Sequence, residues 1–209
     1  MALSAVSSSS KDCRLKEIIL ASASPRRKEI LEKFDIPFRI VPSPLEEVFT
    51  DDPPAEQAAF LSKAKIKTLL DIKPDLSSRL VLGADTCIDL DGRIIGKPGN
   101  REEAETILRR FSGRTHSVIT ALTLYTPDEC KYITEIQTAG VKFAEIPQEL
   151  LSWYLDTGEW IGAAGGYRIQ EKGALLVDSI IGDFYTIMGL PIRLFYGMLA
   201  PQDFRFTAG

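Results

Sequence analysis

Short apolar runs and longer amphipathic segments alternate along the chain, with glycine, proline and acidic residues clustered between them. Short apolar runs bounded by turn residues are typical of buried strands, and longer segments with apolar residues every three or four positions are typical of helices. Asp91 and Gly92, between two apolar stretches, predict a tight hairpin turn. The predicted strands are 17–22, 38–43, 117–125, 131–145 and 174–178, with a further strand, turn and hairpin across 80–98.

Capping residues and prolines mark where helices begin. Ser24 stands before Pro25, which suits an N-cap followed by the first helical residue. Asn100 and Glu103 form an N-x-x-E string close to a capping box. The predicted helices begin at Pro25, run from about Asp52 to Leu70, cover 101–111, run from Pro147 to near Gly158, and close the chain within 189–199.

The short connections between these elements predict an α/β or α+β fold without a clear internal boundary. We expect one domain over 15–202, between a flexible Ser-rich N-terminal tail at 1–14 and a C-terminal tail at 203–209. Composition agrees, since 44% apolar and 26% charged residues are ordinary for a globular protein.

The net charge of −4 argues against general binding to duplex nucleic acid, which requires a basic footprint. Any anion site must therefore be local.

No apolar run approaches the length of a membrane span, and no signal-peptide apolar region is present. Cys13, Cys87 and Cys130 are odd in number and lack metal-ligand spacing, which favours a reducing environment. The cytoplasm is the expected location, with a transit peptide as the alternative because acids are absent before Asp12.

The segment SASPRR at 22–27 places two arginines at a helix start, where the helix dipole favours anions instead. Free N–H groups, the hydroxyls of Ser22 and Ser24 and the guanidinium groups of Arg26 and Arg27 would together bind a phosphate. The alternative is a capped helix start with two solvated cations.

The segment GADT at 83–86 ends an apolar run with a carboxylate, the position at which strands often present catalytic acids. Asp85 could hold a divalent metal, activate a water, or satisfy turn amides. A hairpin would return Lys97 to the neighbourhood of Asp85, and Lys65 emerges beside an apolar row of the second helix. Each lysine could equally be solvated.

Weaker candidates lie elsewhere in the chain. Glu46 and Glu47 could share a metal or form a solvated acidic loop. Gln170 offers an amide that could recognise a base edge. His116 is the single histidine, which excludes a histidine metal cluster, and we interpret it as structural. Walker A, G-x-G-x-x-G, G-x-S-x-G and H-E-x-x-H strings are missing, so P-loop ATPases, Rossmann dehydrogenases and nucleophile-elbow hydrolases are not expected.

Six short motifs occur in a specific order: S-x-S-P-R-R, G-A-D-T, G-K-P, S-G-R-T-H, G-Y-x-I-Q and G-L-P. Together they closely resemble the Maf family of nucleoside triphosphate pyrophosphatases, over about residues 17–200. The resemblance implies a fold like that of inosine triphosphate pyrophosphatase, an α/β architecture with a bent mixed central sheet, flanking helices and a cleft between two lobes. It also implies hydrolysis of a nucleoside triphosphate to the monophosphate and pyrophosphate with a divalent cation (Mg, Mn or Co), and a homodimer.

The resemblance assigns roles to individual residues. Asp85 would be the proton acceptor, and Asp85 and Glu47 would hold the metal. The catalytic and phosphate-binding set would be Ser22, Arg27, Glu47, Lys65, Asp85 and Lys97.

Three positions distinguish branches of the family. The branch that acts on dTTP and UTP has Arg, Thr and Gln where this chain has Arg26, Thr86 and Gln170, whereas the branch that acts on 7-methyl-GTP tends to have an aromatic residue, Gln and Glu. A Gln amide can pair with the O4 and N3–H edge of uracil or thymine, so the chemistry agrees with the first branch. The resemblance therefore implies dTTP, UTP or modified pyrimidine triphosphates as substrates.

The chain departs from the family pattern at three places. Ala163 replaces a common lysine, Arg168 lies between Tyr and Ile where a small residue is usual, and Glu171 replaces a common glycine. Lys172 or Arg168 could supply the missing cation. The alternative function is a nucleotide-binding regulator of septum formation with little turnover, since some Maf proteins are linked to inhibition of that process.

Overall fold

The structure is a computed structural model that describes residues 17–48, 50, 52–202 and 204. Within these residues, seven strands form one mixed sheet and six α-helices flank it. The strands are β1 (Ile18–Leu20), β2 (Phe38–Ile40), β3 (Val81–Leu90), β4 (Arg93–Ile95), β5 (Thr115–Thr126), β6 (Lys131–Phe143) and β7 (Val177–Ile181). The helices are α1 (Pro25–Lys33), α2 (Pro54–Ile72), α3 (Arg101–Phe111), α4 (Gln148–Asp156), α5 (Phe184–Met188) and α6 (Ile192–Leu199).

The sheet combines a parallel and an antiparallel part. Its strand order is β2-β1-β3-β5-β6-β7, and β4 pairs with β3 outside this path. β1 is parallel to both β2 and β3, since α1 and α2 provide the crossovers between them. β3, β5, β6 and β7 pair antiparallel, and β5 and β6 are joined directly by a hairpin. The mixed α/β sheet confirms the predicted fold class.

The two faces of the sheet are covered by different helices. On one face, Ile19 and Val81 pack in a cluster with Ile66 and Leu69 of α2. On the other face, Leu82 belongs to the larger core, to which α1, α3, α4 and α6 contribute. Because successive strand residues point to opposite faces, β3 presents alternate side chains to α2 and to this larger core.

The predicted hairpin turn is confirmed. Asp91 and Gly92 both have positive φ angles, +58° and +78°, as a two-residue type I′ turn requires. The capping signal of α3 is also confirmed, since Asn100 accepts a hydrogen bond from the Glu103 amide at 2.8 Å. At α1, Ser24 occupies the N-cap position, but its side chain forms no capping hydrogen bond.

The predictions were wrong near the C-terminal part of the sheet. The strand expected at 174–178 begins only at Val177, after a 3₁₀ turn over Lys172–Leu176. The carboxylate of Glu159 accepts the amides of Lys172 and Gly173, which holds that segment in a turn. The short helix α5 was not predicted, because five residues are too few to show a helical period.

The expected tails at 1–14 and 203–209 lie outside the described residues, apart from Phe204. Cys13 lies outside them too, and Cys87 and Cys130 are free thiols. Among the helices that the structure describes, none is long and apolar enough to cross a membrane.

Candidate active site

The candidate site lies at a gap in the sheet beside β3. β1 pairs with β3 at Val81 and Leu82, and β4 pairs with it from Ile88 onward. Residues 83–87 of β3 lie between these two pairings, and their strand partner is β5 on the other side. Because α1 begins shortly after β1 ends, its first turn faces the same gap and lines one cavity with residues of β3.

Gly83 allows α2 to approach β3 closely. A Cβ atom at Gly83 would lie 2.2 Å from the carbonyl oxygen of Ser62 and 2.8 Å from Cγ1 of Ile66, both on α2. Lys65, between these two contacts on the helix, is consequently buried against β3. The missing side chain in the GADT segment therefore brings a lysine to the strand that carries Asp85.

Lys65 connects two carboxylates. Its Nζ lies 2.6 Å from Oδ1 of Asp85 and 2.7 Å from Oε1 of Glu47. Burial raises the pKa of Glu47, but the hydrogen bond and charge of Lys65, with Lys97 and Arg27, lower that pKa by more. Glu47 is therefore ionised at neutral pH. Within the described residues the Asp85 side chain forms its hydrogen bond through Oδ1, which leaves Oδ2 for a water or a metal.

Arg27 is buried and held by three hydrogen bonds. Its Nε donates to the carbonyl of Gly189 at 2.9 Å, one terminal nitrogen donates to Oγ of Ser22 at 2.8 Å, and the other donates to Oγ1 of Thr86 at 3.1 Å. A guanidinium group has five N–H donors, so two remain for a ligand. Burial lowers the pKa of Arg27 to about 10, which keeps it protonated at neutral pH.

Arg26 lacks a comparable set of partners. Its Nε is buried and has no hydrogen-bond partner among the described residues. Burial, and next the charge of Arg168, lower the pKa of Arg26. The first turn of α1 contains no acidic residue and no side-chain cap, so its free amides add to the positive potential. Arg26 and the first turn of α1 therefore form a positively charged surface that an external anionic ligand could bind.

These groups line one cavity of about 430 Å³, which we call the main cavity. Four cationic side chains face it against two carboxylates, an excess of two positive charges in a chain whose net charge is −4. Lys97 follows β4 and joins this lining, as the hairpin prediction required. The charged residues are Arg26, Arg27, Lys65, Lys97, Glu47 and Asp85.

Two further hollows adjoin the main cavity. A narrow slot of about 40 Å³ is lined by Thr86 and Gln170 together with apolar side chains such as Ile88 and Val118. A side cavity of about 410 Å³ is lined by Gln170, Lys97 and Arg168, among others. Thr86 lines the main cavity and the slot, Gln170 lines the slot and the side cavity, and Arg26 lines all three.

Comparison with known proteins identifies the family of the chain. The family model described as Maf-like protein matches residues 17–202, nearly the whole described chain. The chain belongs to the Maf family. A relative from Bacillus velezensis, named dTTP/UTP pyrophosphatase, is 44% identical over 194 residues, which cover 92% of this chain and 99% of the relative.

Relatives from distant organisms carry the same name. The dTTP/UTP pyrophosphatase of Pyrococcus furiosus is 41% identical over 181 residues, which cover 85% of this chain and 91% of the relative. The dTTP/UTP pyrophosphatase of Thermus thermophilus is 40% identical over 188 residues, which cover 90% and 96% respectively. The Maf similarity therefore extends over both the sheet and the site.

The structure brings most of the predicted Maf site residues together around the main cavity. Two of them, Ser22 and Gln170, do not line it. Ser22 lies behind Arg27 and contacts it through Oγ, and it does not line the cavity. Gln170 lies at the slot and the side cavity, away from Asp85. Glu46 is exposed and absent from the lining, which agrees with a solvated loop residue.

Two of the three departures from the Maf pattern line the side cavity. Ala163 is fully buried. Arg168 lines the slot and the side cavity, and it donates a hydrogen bond to the carbonyl of Ile161 at 2.9 Å. Glu171 also lines the side cavity, whereas Lys172 does not. Of the two cations considered for the missing lysine, Arg168 is therefore the better placed.

His116 is part of an aromatic cluster. Its ring stacks on Phe111 at a centroid distance of 4.1 Å, and its Nε2 lies 2.8 Å from the hydroxyl of Tyr167. Burial lowers the pKa of His116 to about 4, so the ring is neutral at neutral pH. These contacts support the structural interpretation.

Sequence reasoning missed three residues that shape the site. The Gly189 carbonyl orients Arg27, and the G-L-P motif was the available signal. Thr120 of β5 bonds to Thr86, a contact that depends on strand register and leaves no local signal. Cys87 lines the main cavity, and burial raises the pKa of its thiol to about 12, so it remains protonated.

Proposed function

We propose that this protein hydrolyses dTTP and UTP, and related modified pyrimidine triphosphates, to the nucleoside monophosphate and pyrophosphate. The curated relatives that carry this activity in their names match about nine tenths of the chain. The observation that carries the proposal is the main cavity, in which Lys65 bridges two carboxylates and three further cations complete the charged lining. Triphosphate hydrolysis requires cations that bind the polyanionic substrate and a carboxylate that accepts a proton from the attacking water.

The cations bind the triphosphate. Arg27 directs its two remaining N–H donors toward phosphate oxygens, and Arg26 contributes the buried Nε that lacks a protein partner. Lys97, which also lines the cavity, adds a further positive charge. Such preorganised positive groups stabilise charge that develops on the phosphates in the transition state.

Asp85 activates the water. Its Oδ1 is fixed by Lys65, so Oδ2 can accept a proton as the water oxygen bonds to the α-phosphorus. The bond from the α-phosphorus to the bridging oxygen breaks, and pyrophosphate leaves with that oxygen. Lys65 offsets part of the negative charge of the two carboxylates and keeps Asp85 oriented.

A divalent cation fits this residue set. Asp85 and Glu47 supply carboxylate oxygens, the donors that Mg and Mn prefer, and such ions are commonly held by one or two carboxylates plus substrate phosphates. Among the described residues no group of three or more His, Cys, Asp or Glu side chains could hold a metal without the substrate. When bound, the ion would withdraw electron density from the phosphates.

The nucleoside end is recognised by Gln170, Thr86 and Arg26. The Gln170 amide donates to O4 and accepts from N3–H of uracil or thymine, whereas cytosine reverses this pattern. Gln170 lines the side cavity, which has room for a base beyond the main cavity. This arrangement is compatible with uracil or thymine as the base.

The test is a screen of dTTP, UTP, CTP and modified pyrimidine triphosphates with Mg, Mn and Co, in which monophosphate and pyrophosphate are identified. We expect release from dTTP and UTP above CTP. If nucleotides bind and none is hydrolysed, the protein is instead a nucleotide-binding regulator.

Asp85→Asn tests the catalytic acid. This variant should lose nearly all turnover and keep triphosphate binding, measured by calorimetry, because the amide cannot accept the proton. Asp89→Asn is the matched control, since Asp89 lies on the same strand but does not line the main cavity. Loss of binding together with turnover would show that Asp85 chiefly holds the metal or the structure.

We propose a homodimer on the basis of the resemblance, to be measured by light scattering. The proposed location is the cytoplasm, supported by the odd cysteine count. The net charge of −4 supports the absence of a nucleic-acid partner.

A further inference from the structure

Thr120 lies behind the specificity residues in the described structure. It is fully buried on β5, directly opposite Thr86 in the register of β3 and β5. The two Oγ1 atoms are 2.9 Å apart. Thr120 does not line any of the three hollows, so a direct contact with substrate is excluded by its position.

The partners of Thr120 determine the direction of this hydrogen bond. Oγ1 of Thr120 lies 2.8 Å from the carbonyl oxygen of Thr186, which can only accept. A hydroxyl has a single proton, so Thr120 donates it to Thr186 and accepts from Thr86. The proton of the Thr86 hydroxyl is therefore directed away from the cavity.

The acceptor side of Thr86 is partly occupied. Arg27 donates to Oγ1 of Thr86 at 3.1 Å, which uses one of its two lone pairs. The remaining lone pair is the one acceptor that Thr86 can offer to a ligand in the main cavity or the slot, both of which this residue lines. Thr86 can therefore accept a hydrogen bond from a ligand and cannot donate one.

The position of Thr86 indicates which part of a nucleotide it meets. Asp85 lines only the main cavity, and Gln170 lines the slot and the side cavity, so Thr86 lies between the phosphate and base regions. In a nucleotide the sugar occupies this position. The only sugar donor shared by dTTP and UTP is the 3′-hydroxyl.

We propose that Thr120 is a positioning residue that fixes Thr86 as an acceptor for the 3′-hydroxyl of the substrate sugar. The proposal rests on the proposed function. It predicts that the enzyme requires a hydrogen-bond donor at the 3′ position of the sugar and does not distinguish a hydroxyl from a hydrogen at the 2′ position. One site could then accept both a deoxynucleotide and a ribonucleotide.

The first experiment uses the unaltered full chain. We expect kcat/KM for dTTP to exceed that for 3′-deoxy-3′-fluoro-dTTP by about tenfold, the effect of one hydrogen bond, because fluorine occupies the position and donates nothing. dUTP and UTP should differ by less than about threefold on the same scale. Equal kcat/KM values for dTTP and the fluoro analogue, measured with the unaltered chain, would overturn the proposal.

The second experiment compares Thr120→Val with Thr123→Val. Thr123 is a matched control, since it is also fully buried on β5 and its hydroxyl bonds to Ser62 and Thr134 instead of the site. Thr120→Val frees the Thr86 proton, so the ratio of dTTP to the fluoro analogue should fall to within about threefold. Thr123→Val should keep the ratio of the unaltered chain, and Thr120→Ser, which retains the hydroxyl, should restore it.

The outcomes are distinguishable from failure of the proposed function. If the unaltered chain releases no pyrophosphate from any triphosphate, the proposed function fails. If it is active and Thr120→Val keeps the full ratio, the positioning role fails alone. A change in the UTP to CTP ratio without a change in the 3′ ratio would mean that Thr86 contacts the base, which also overturns the proposal.

Discussion

One methyl group at Gly83 should disable the site from outside the cavity. In Gly83→Ala the new Cβ would lie 2.2 Å from the carbonyl oxygen of Ser62, whereas ordinary contact begins at 3.4 Å. The α2 backbone must therefore retreat from β3 by about 1.2 Å. The Lys65–Asp85 contact, now 2.6 Å, then lengthens beyond hydrogen-bond distance.

The expected magnitudes follow from the two effects of that displacement. Forcing a methylene-sized group into a packed contact costs about 1–3 kcal/mol of unfolding free energy. Misplacing a catalytic group by about 1 Å lowers turnover by about a hundredfold. Because Asp85 would also lose the cation that fixes it, we expect kcat to fall more than substrate affinity.

The assay measures pyrophosphate release from dTTP and urea unfolding for the same variant. Gly197→Ala is the matched control, since a Cβ at Gly197 in α6 meets nothing within 4 Å. A helical Gly-to-Ala change in open space should be neutral or stabilising by up to about 1 kcal/mol. Wild-type stability and turnover in Gly83→Ala would refute the argument that the helix contact positions Lys65.

Two further predictions concern His116 and Ser22. Burial lowers the pKa of His116 to about 4 from its ordinary 6.5, so the unfolded chain binds a proton at higher pH than the folded chain. The free energy of unfolding should therefore fall by up to about 3 kcal/mol as pH drops from 6.5 to 4, and His116→Gln should lose that part of the dependence in urea titrations; parallel curves would contradict it. Ser22→Ala removes the 2.8 Å partner of Arg27 and should raise KM for dTTP by about tenfold with a smaller change in kcat. An unchanged KM would show that Arg27 holds its orientation without Ser22.

Local sequence signals determined most elements of the fold. The Asp91–Gly92 turn and the Asn100 cap depend on residues within a few positions of each other, and the structure confirms both. The prediction of a strand at 174–178 was wrong at its start, because the backbone amides of Lys172 and Gly173 are bound by Glu159, a residue more than ten positions away. Helix α5 was not predicted, because a helix of 5 residues is too short to show a helical period of apolar residues.

For the site, the sequence by itself determined the set of chemical groups: arginines at a helix start, an acid at a strand, and lysines that could approach it. Their arrangement was decided by the tertiary structure. The contact of Lys65 with Asp85 depends on how closely α2 packs on Gly83, and the direction of the Thr86 proton depends on Thr120, which strand register places opposite it. The physical reason is that hydrogen bonds and ion pairs act within about 3–4 Å, whereas these partners are separated by 20 and 34 residues along the chain.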